Sequence, residues 1–332
     1  MYIYERSFSG FGEHQPSQVR GSIPFSPAIE EANDQLEIIR EGQLPLEFFR
    51  RPDIRALSFD ERQDMEHLRK LKAIFRLGDL RDQRAVLTLV AVLENKIFPI
   101  QSYSSAQKLR LKQAAAESLG KIGGQVALSK LSDLLKSKDP EERMMAARGL
   151  PGAAGGQAAT DLLTALKSET DADLLKAQII FALGNAGRDL GNMQKQSIAT
   201  ELILQMENNN DAVHRAAINA LGKLRLKSAT EPLLKQLHKW HSGDPAADIV
   251  RALGEIGDER AVDLVVVMLE VHVKSGVRSE AAIALGKIGG AKAMTALKKR
   301  LSQEKESSVR TEIFKALTPV IHWTFKPASS LP

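Results

Sequence analysis

The stretch LGKIGG occurs twice in this 332-residue chain, at Leu119–Gly124 and at Leu285–Gly290. A glycine-rich run that contains a lysine is typical of phosphate-binding loops, in which a Ser or Thr after the lysine reaches a metal ion. In both copies the lysine is followed by Ile. The glycines also follow a predicted helix, whose negative dipole end repels phosphate, and no β-strand is predicted beside them. We therefore interpret the stretch as part of a structural repeat.

Degenerate copies of this stretch recur along most of the chain. Each copy has a central position, called the anchor below, which is a glycine in all copies except the last. The anchors are Gly78, Gly120, Gly152, Gly184, Gly222, Gly254, Gly286 and Thr318. Their spacings are 42, 32, 32, 38, 32, 32 and 32 residues. Self-similarity at a fixed period of this size marks a solenoid.

Each repeat shows two helical patterns. In the first helix of one repeat, a single face carries Ala261, Leu264, Val265, Met268 and Leu269. The second helix begins with cap residues, such as Asp139 followed by Pro140, and Ser275 and Ser307 are predicted as weaker caps. We expect the second helix to end at the anchor, because glycine suits a strongly turned helix terminus.

These patterns predict an all-α fold, an α-solenoid of about seven helix pairs with an N-terminal helical cap. The 32-residue period, the Asp-Pro helix starts and the motif VRSEAAIALGKIG at Val277–Gly289 resemble HEAT-like repeats. The resemblance is to the short repeats of phycobilisome bilin lyases, and it covers roughly residues 60–320. It implies the fold but not the activity, since lyases, scaffolds, regulators and nucleic-acid enzymes share such repeats.

Charge and aromatic content divide the chain into different regions. Residues 1–60 contain 6 Arg, no Lys and 10 acidic residues, a net charge of −4, whereas the remainder has a net charge of +9. We predict a tail at residues 1–25, an acidic helical cap at 26–80, the repeat array at 81–320 and a tail at 321–332. The caps Ser26 and Ser58 open the two acidic helices that are expected to cover the first repeat.

Two repeats are longer than 32 residues, and the extra residues fall near Ile97–Gln107 and Arg188–Met193. The first insertion lies between the two helices of a repeat and the second lies between repeats. Such insertions can carry binding, or they can be neutral changes in a tolerant turn.

Basic residues recur eight positions before the anchors. The series comprises Lys70, Lys112, Lys176, His214, Arg278 and Arg310, with Arg143 one position out of register, and Ala246 interrupts it. It could form a basic stripe for an acidic partner or a phosphate backbone. Alternatively, each base pairs with a nearby acid or with the cap of the next repeat. A further basic cluster, Lys223–Lys227, is expected on an exposed face.

The sequence offers no catalytic or metal-binding motif. It has no cysteine, no Gly-x-Ser-x-Gly motif, and no histidine followed by glutamate, the dyad that binds iron in HEAT-like deoxyhypusine hydroxylases. We therefore predict no cofactor and no metal, and we expect a protein that is not an enzyme. Without a signal sequence or a long apolar run, we expect a soluble, cytoplasmic chain.

Our functional hypothesis is a protein–protein interaction scaffold or adaptor whose partner is another protein, with an acidic or extended segment. The alternatives are a nucleic-acid-binding protein, suggested by the basic array, and a bilin lyase-type subunit, suggested by the repeat type alone. Aromatic residues at the breaks in the period could anchor a partner or cap the solenoid. We favour partner docking for the N-terminal tail and capping for Trp323 and Phe325. The candidate partner-binding residues are Tyr2, Tyr4, Phe8, Phe11, Phe98, Tyr103, Lys112, Lys176, Arg278 and Arg310.

Overall fold

A computed structural model describes residues 27–40, 59–97, 103–152, 155–170, 172–239 and 245–318. These residues contain sixteen α-helices and no β-strand. The helices are α1 Pro27–Arg40, α2 Phe59–Leu80, α3 Val86–Leu93, α4 Ser105–Ile122, α5 Gln125–Leu135, α6 Pro140–Gly149, α7 Gly156–Ser168, α8 Asp173–Ala186, α9 Asn192–Gln205, α10 Asp211–Leu224, α11 Thr230–Lys239, α12 Pro245–Ile256, α13 Val262–Val271, α14 Ser275–Ile288, α15 Ala291–Gln303 and α16 Ser307–Leu317. Short 3₁₀ turns join several of them.

The helices form two layers. The even-numbered helices α2 to α16 form an inner layer, in which each helix packs against the next even-numbered one. The odd-numbered helices α3 to α15 form an outer layer, and each packs against the inner helix that follows it. Helices α3 to α16 are therefore seven pairs, which confirms the predicted all-α solenoid. Helix α1 packs on α2 and also contacts α3, so this pair continues both layers.

The core consists of aliphatic side chains, as the helical periodicity predicts. Ala261, Val265, Met268 and Leu269 are buried in α13 and the turn before it, and Leu264 is partly buried against them. Burial of these faces between the two layers is the main source of stability in such an array. The predicted faces are thus confirmed.

The predicted helix caps are confirmed at one position and wrong at two. Asp139 is the N-cap of α6, and its carboxylate accepts a hydrogen bond from the backbone N–H of Glu141 at 2.9 Å. In α14 and α16 the N-caps are Lys274 and Glu306, so Ser275 and Ser307 are the first helical residues. The predicted caps Ser26 and Ser58 lie outside the described ranges, so their roles stay predictions.

The prediction that the second helix ends at the anchor glycine is wrong. Gly254 lies inside α12, and a Cβ added to it would be 2.7 Å from the Cα of Ala284 in α14. At Gly222 the added Cβ would be 2.9 Å from the Cα of Ala252 in α12. Contacts this short leave no room for a side chain. The anchor is therefore glycine because neighbouring inner helices touch there, backbone against backbone.

The turn itself lies three residues after the anchor. Gly123 and Gly289 have φ angles of 71° and 74°, in the left-handed region that favours glycine. The next residues, Gly124 and Gly290, are the N-caps of α5 and α15. The glycines of LGKIGG therefore also precede a helix, contrary to expectation, because the loop between the two helices is only two residues long.

The two insertions occupy the connections that the sequence indicates. The first joins α3 to α4 within a pair, and its residues 98–102 lie outside the described ranges. The second joins two pairs and contains the 3₁₀ turn Gly187–Asp189 before α9. None of the helices in the described ranges combines the length and apolar character needed to cross a membrane.

Candidate functional site

Half of the predicted partner-binding residues lie outside the described part of the chain. These are Tyr2, Tyr4, Phe8, Phe11 and Phe98, and the tail residues Trp323 and Phe325 lie outside it too. Their predicted roles stay predictions.

Tyr103 is the candidate partner-binding aromatic residue that lies within the described part of the chain, and its predicted role stays a prediction. Its side chain is buried, with 7% exposed, and its hydroxyl donates a hydrogen bond to Glu66 Oε1 at 3.1 Å. Burial and the charge of Glu66 raise the pKa of Tyr103 well above its usual value. The ring lies near the imidazole of His67, at 5.9 Å between centroids, and beneath the ammonium of Lys70, at 5.3 Å. These contacts hold Tyr103 within the fold.

Two arginines of the basic series clamp consecutive repeats together. Arg278 forms a two-pronged ion pair with Glu304, at 2.9 and 3.0 Å, and also donates to the carbonyls of His272 and Val273 at the end of α13. Glu304 follows α15, the outer helix of the next pair, so the guanidinium joins the ends of two outer helices. The same ion pair holds the pKa of Glu304 at about 2. Arg143 joins α5 to Glu169 in the same way.

The other members of the series do not share one arrangement. His214 is buried, and its Nδ1 lies 2.5 Å from the carbonyl oxygen of Met206 at the end of α9. Lys112 and Lys176 are half-buried, Arg310 is exposed, and none of the three forms an ion pair within the described residues. The predicted binding roles of Lys112, Lys176, Arg278 and Arg310 stay predictions. The observed pairing of Arg143 and Arg278 supports the structural alternative for those two positions.

The inner layer has one side that is turned away from the outer helices, and we call this side the free face. Phe75 and Phe181, each three residues before its anchor, are exposed on it. Charged side chains of neighbouring inner helices pair across this face. Lys121 Nζ lies 2.7 Å from Asp79, and Lys287 pairs with Glu255. The lysines of both LGKIGG copies are therefore neutralised by the preceding repeat, and the free face is mostly a ladder of compensated charges.

One part of the free face departs from this balance. A cavity of about 380 Å³ lies between the carboxyl-terminal ends of α8, α10 and α12, and we call it the basic cavity. Its lining comprises Arg188, Asn219, Gly222, Lys223, Arg225, Arg251, Ala252 and Glu255. Four cations thus face one carboxylate. Arg188 comes from the second insertion, which adds a side chain to this cavity.

Only part of this positive charge is compensated. Arg225 pairs with Glu255 at 2.9 Å, and Arg251 pairs with Asp248 at 2.8 Å and with Glu280. Lys223 instead donates to the amide oxygen of Asn185 at 2.8 Å.

Lys223 also lies over an aromatic ring, with its Nζ 4.0 Å from the centroid of Phe181. Burial and the charge of Arg188 lower the pKa of Lys223. Arg188 itself forms no ion pair with any described residue.

Arg225 occupies a position that is glycine in five of the other repeats and arginine, Arg81, in the first repeat. It lies three residues after its anchor, and its φ of 54° and ψ of 35° are in the left-handed region. Arg81 has a similar φ of 52°, whereas Gly123 and Gly289 combine a positive φ with ψ angles of −157° and −159°. A residue other than glycine in the left-handed region costs about 1 kcal/mol or more. The backbone therefore carries strain at Arg225, at the rim of the basic cavity, and also at Arg81, which does not line this cavity.

Sequence reasoning missed the basic cavity. It placed Lys223 and Arg225 in an exposed cluster, whereas Arg225 is exposed and Lys223 is half-buried, and it did not connect them with Arg188 and Arg251. Arg225 was only a weak signal, because it stands in LGKLR where two other copies have LGKIG but the first copy has LGDLR. The convergence with α8 and α12 depends on packing between repeats and has no signal in the local sequence.

Known proteins share the fold of this chain. A family model of HEAT repeats matches residues 98–184 and 230–318, just over half of the chain. No curated protein is significantly similar to the chain in sequence. The structure of Kap121p bound to Pho4p is 13% identical, with a TM-score of 0.56, covering 86% of this chain and 35% of that chain. Kap121p bound to Nup53p is 12% identical, with a TM-score of 0.57, covering 86% of this chain and 33% of that chain.

A third structure is the complex of CpcE and CpcF of phycocyanin lyase from Nostoc sp. PCC7120. It is 18% identical, covering 92% of this chain and 98% of that chain, and its TM-score is 0.43. At these identities the similarities concern the fold. The family match, the helix pairs and the 32-residue period lead to the same assignment. The chain belongs to the HEAT-repeat family.

Proposed function

We propose that this protein is a non-enzymatic interaction scaffold that binds an extended, acidic segment of another protein on the free face of its inner layer. The observation that supports this most directly is the basic cavity, where Arg188 and Lys223 have no carboxylate partner within the described part of the chain. A partner that supplies carboxylates would pair with these groups and relieve their repulsion.

Apolar contacts next to the cavity complete the binding surface. Phe181 is 48% exposed and lies directly beside Lys223. Exposed aromatic rings next to cations are typical anchors in protein interfaces, because they bury a large area at a small entropic cost. The partner segment would therefore combine acidic and apolar residues.

The compensated charges elsewhere on the free face argue for one focused contact. Pairs such as Lys121 with Asp79 leave little net charge for a partner. Long-range steering by the array's excess positive charge would bring an acidic segment to the surface, and the basic cavity would hold it.

The Kap121p structures were solved with Pho4p and with Nup53p bound. They show that this fold can present a surface to another protein. Binding by the present chain rests on its own residues, since the shared feature is the fold.

Selection from a displayed library of random peptides against the full chain tests the proposal. We expect the selected peptides to be rich in Asp, Glu and apolar residues. Fluorescence anisotropy with the purified peptides then compares Phe181→Ser with Leu87→Ser, a matched control that removes an exposed apolar side chain from outer helix α3. Phe181→Ser should weaken binding about tenfold or more, as expected for an aromatic anchor, whereas Leu87→Ser should leave it unchanged.

The opposite results would contradict the proposal. Selection of basic peptides, or of none, would argue against an acidic partner segment. Equal binding by wild type and Phe181→Ser would place the contact elsewhere than on the free face.

A further inference from the structure

The charges of the basic cavity match a doubly charged anion better than a single carboxylate. Lys223 and Arg188 face the same cavity, and neither has a carboxylate partner among the described residues. A single carboxylate of a partner would neutralise one of them. A dianion would neutralise both at once, and it would also accept hydrogen bonds from the amide of Asn219 and from the guanidinium groups at the rim.

From this arrangement we propose that the basic cavity binds a phosphoryl group, carried on a phosphorylated side chain of the partner segment. The inference rests on the proposed function, and it specifies the chemical group that the cavity recognises. A phosphorylated side chain has a charge of about −1.5 to −2 at neutral pH and three strong acceptor oxygens. Arginine guanidinium groups match phosphate geometry, and three arginines line this cavity.

The position of the cavity favours a protein segment over a nucleic acid. A nucleic acid presents a phosphate at every nucleotide and needs a continuous track of cations with aromatic platforms. Cations elsewhere on this free face are already paired, such as Lys121 with Asp79 and Lys287 with Glu255 of the lining. One face of the Phe181 ring lies beneath Lys223. A single phosphoryl group on a polypeptide fits this isolated excess of charge.

Arg225 supports a binding role through its ion pair. Its side chain reaches Glu255 at 2.9 Å. By engaging Glu255, Arg225 neutralises the one carboxylate of the lining that would repel a phosphoryl group.

The test measures binding of a short fluorescent peptide that contains one phosphoserine to the full chain by anisotropy. The same peptide with unmodified serine, inorganic phosphate as competitor, and a single-stranded oligonucleotide are the other probes. Variants Lys223→Gln and Arg188→Gln alter the cavity. Lys121→Gln is the matched control, because Lys121 holds the equivalent repeat position outside the cavity. Circular dichroism melting establishes that each variant is folded.

We expect the phosphopeptide to bind at least about tenfold more tightly than the unmodified peptide, since charge-assisted hydrogen bonds to phosphate are at stake. Lys223→Gln and Arg188→Gln should each remove about tenfold of that affinity, and Lys121→Gln should leave it unchanged. Binding should weaken as salt concentration rises.

Each alternative outcome overturns the phosphoryl proposal, the scaffold proposal or both. Equal binding of the two peptides would overturn the phosphoryl proposal and leave the scaffold proposal standing. If none of these probes binds while library-selected acidic peptides still bind, the phosphoryl proposal is overturned and the scaffold proposal stands. Inorganic phosphate that binds as tightly as the phosphopeptide would overturn the protein source of the group. Tighter binding of the oligonucleotide than of the phosphopeptide would replace the protein partner by a nucleic acid, and would contradict both proposals.

Discussion

The anchor glycines make a sharp prediction about how the repeats are held together. In Gly254→Ala the new Cβ would lie 2.7 Å from both the Cα and the Cβ of Ala284. Carbon atoms pack at about 3.5–4.0 Å, so α12 and α14 must separate by about 1 Å, and such a gap removes roughly a quarter to a half of the local dispersion energy. Because a backbone atom cannot rotate away, we take the upper end of overpacking costs, about 3 kcal/mol. The better helix propensity of alanine returns about 1 kcal/mol. The net expected loss is about 2 kcal/mol.

Gly276 provides the matched control. It lies in the first turn of α14, and an added Cβ would meet nothing within 4 Å. Gly276→Ala should therefore stabilise the protein by about 0.5–1 kcal/mol, through the lower entropy of the unfolded chain. Urea denaturation followed by circular dichroism compares the two, and hydrogen exchange in α12 and α14 localises the effect, since repeat arrays can unfold in parts. If Gly254→Ala proves as stable as Gly276→Ala, close packing at the anchors is refuted.

Three further variants test the clamp, a buried histidine and the strained turn. Arg143→Met leaves the carboxylate of Glu169, which is 7% exposed, without its ion pair. We expect urea denaturation to show a loss of about 2 kcal/mol in the free energy of unfolding, less than the 3–5 kcal/mol for breaking a fully buried pair. An unchanged free energy of unfolding would mean that the ion pair does not hold the repeats together. His67 is buried, and neither of its ring nitrogens is hydrogen-bonded among the described residues. Burial and the charge of Arg110 lower the pKa of His67 in the folded protein. As the pH falls, the unfolded chain therefore takes up the proton first, and the free energy of unfolding should decrease below about pH 6.5. His67→Leu should remove that pH dependence and raise the free energy of unfolding at pH 6 by about 1 kcal/mol, and an unchanged pH profile would contradict the assignment. Arg225→Gly should raise the melting temperature. The change relieves about 1 kcal/mol of backbone strain, which exceeds the contribution of the exposed ion pair with Glu255 to stability. A lower melting temperature would contradict the presence of strain at Arg225.

The fold was predictable because its information is local and repeated. Each helix carries its own apolar face, and a period of 32 residues reports one packing unit many times over. The function of the anchor was not predictable in the same way. A glycine that ends a helix and a glycine that touches a neighbouring helix look alike in one sequence. The distinguishing evidence is the small residue two positions before the next anchor, as in Ala252 and Ala284, and its meaning depends on which helices are neighbours.

Most of the candidate site was beyond sequence reasoning for the same reason. Lys223 and Arg225 are close in sequence, but Arg188 and Arg251 reach the cavity from other repeats. The base series eight positions before the anchors was a correct periodicity, and yet Arg143 and Arg278 use their charge to join outer helices. A periodic charge in a repeat protein therefore indicates a repeated structural contact at least as readily as a binding stripe.

Departures from the period, in contrast, indicate binding more readily than a structural contact. In regular repeats the residue after the anchor forms an ion pair with its equivalent in the adjacent repeat, as Lys121 does with Asp79. Around α10 this rule is broken, because Lys223 has an amide partner in place of a carboxylate. The third residue after the anchor is Arg225 here and Arg81 in the first repeat, whereas it is glycine in five of the other repeats. The lengthened turn before α9 adds Arg188 to the same cavity. Each departure alone costs stability, and a one-dimensional array can tolerate each, because its stability is spread over many interfaces. The unpaired Lys223 and the added Arg188 converge on one cavity, which is what a binding site requires, since selection for folding alone would restore the ion pair.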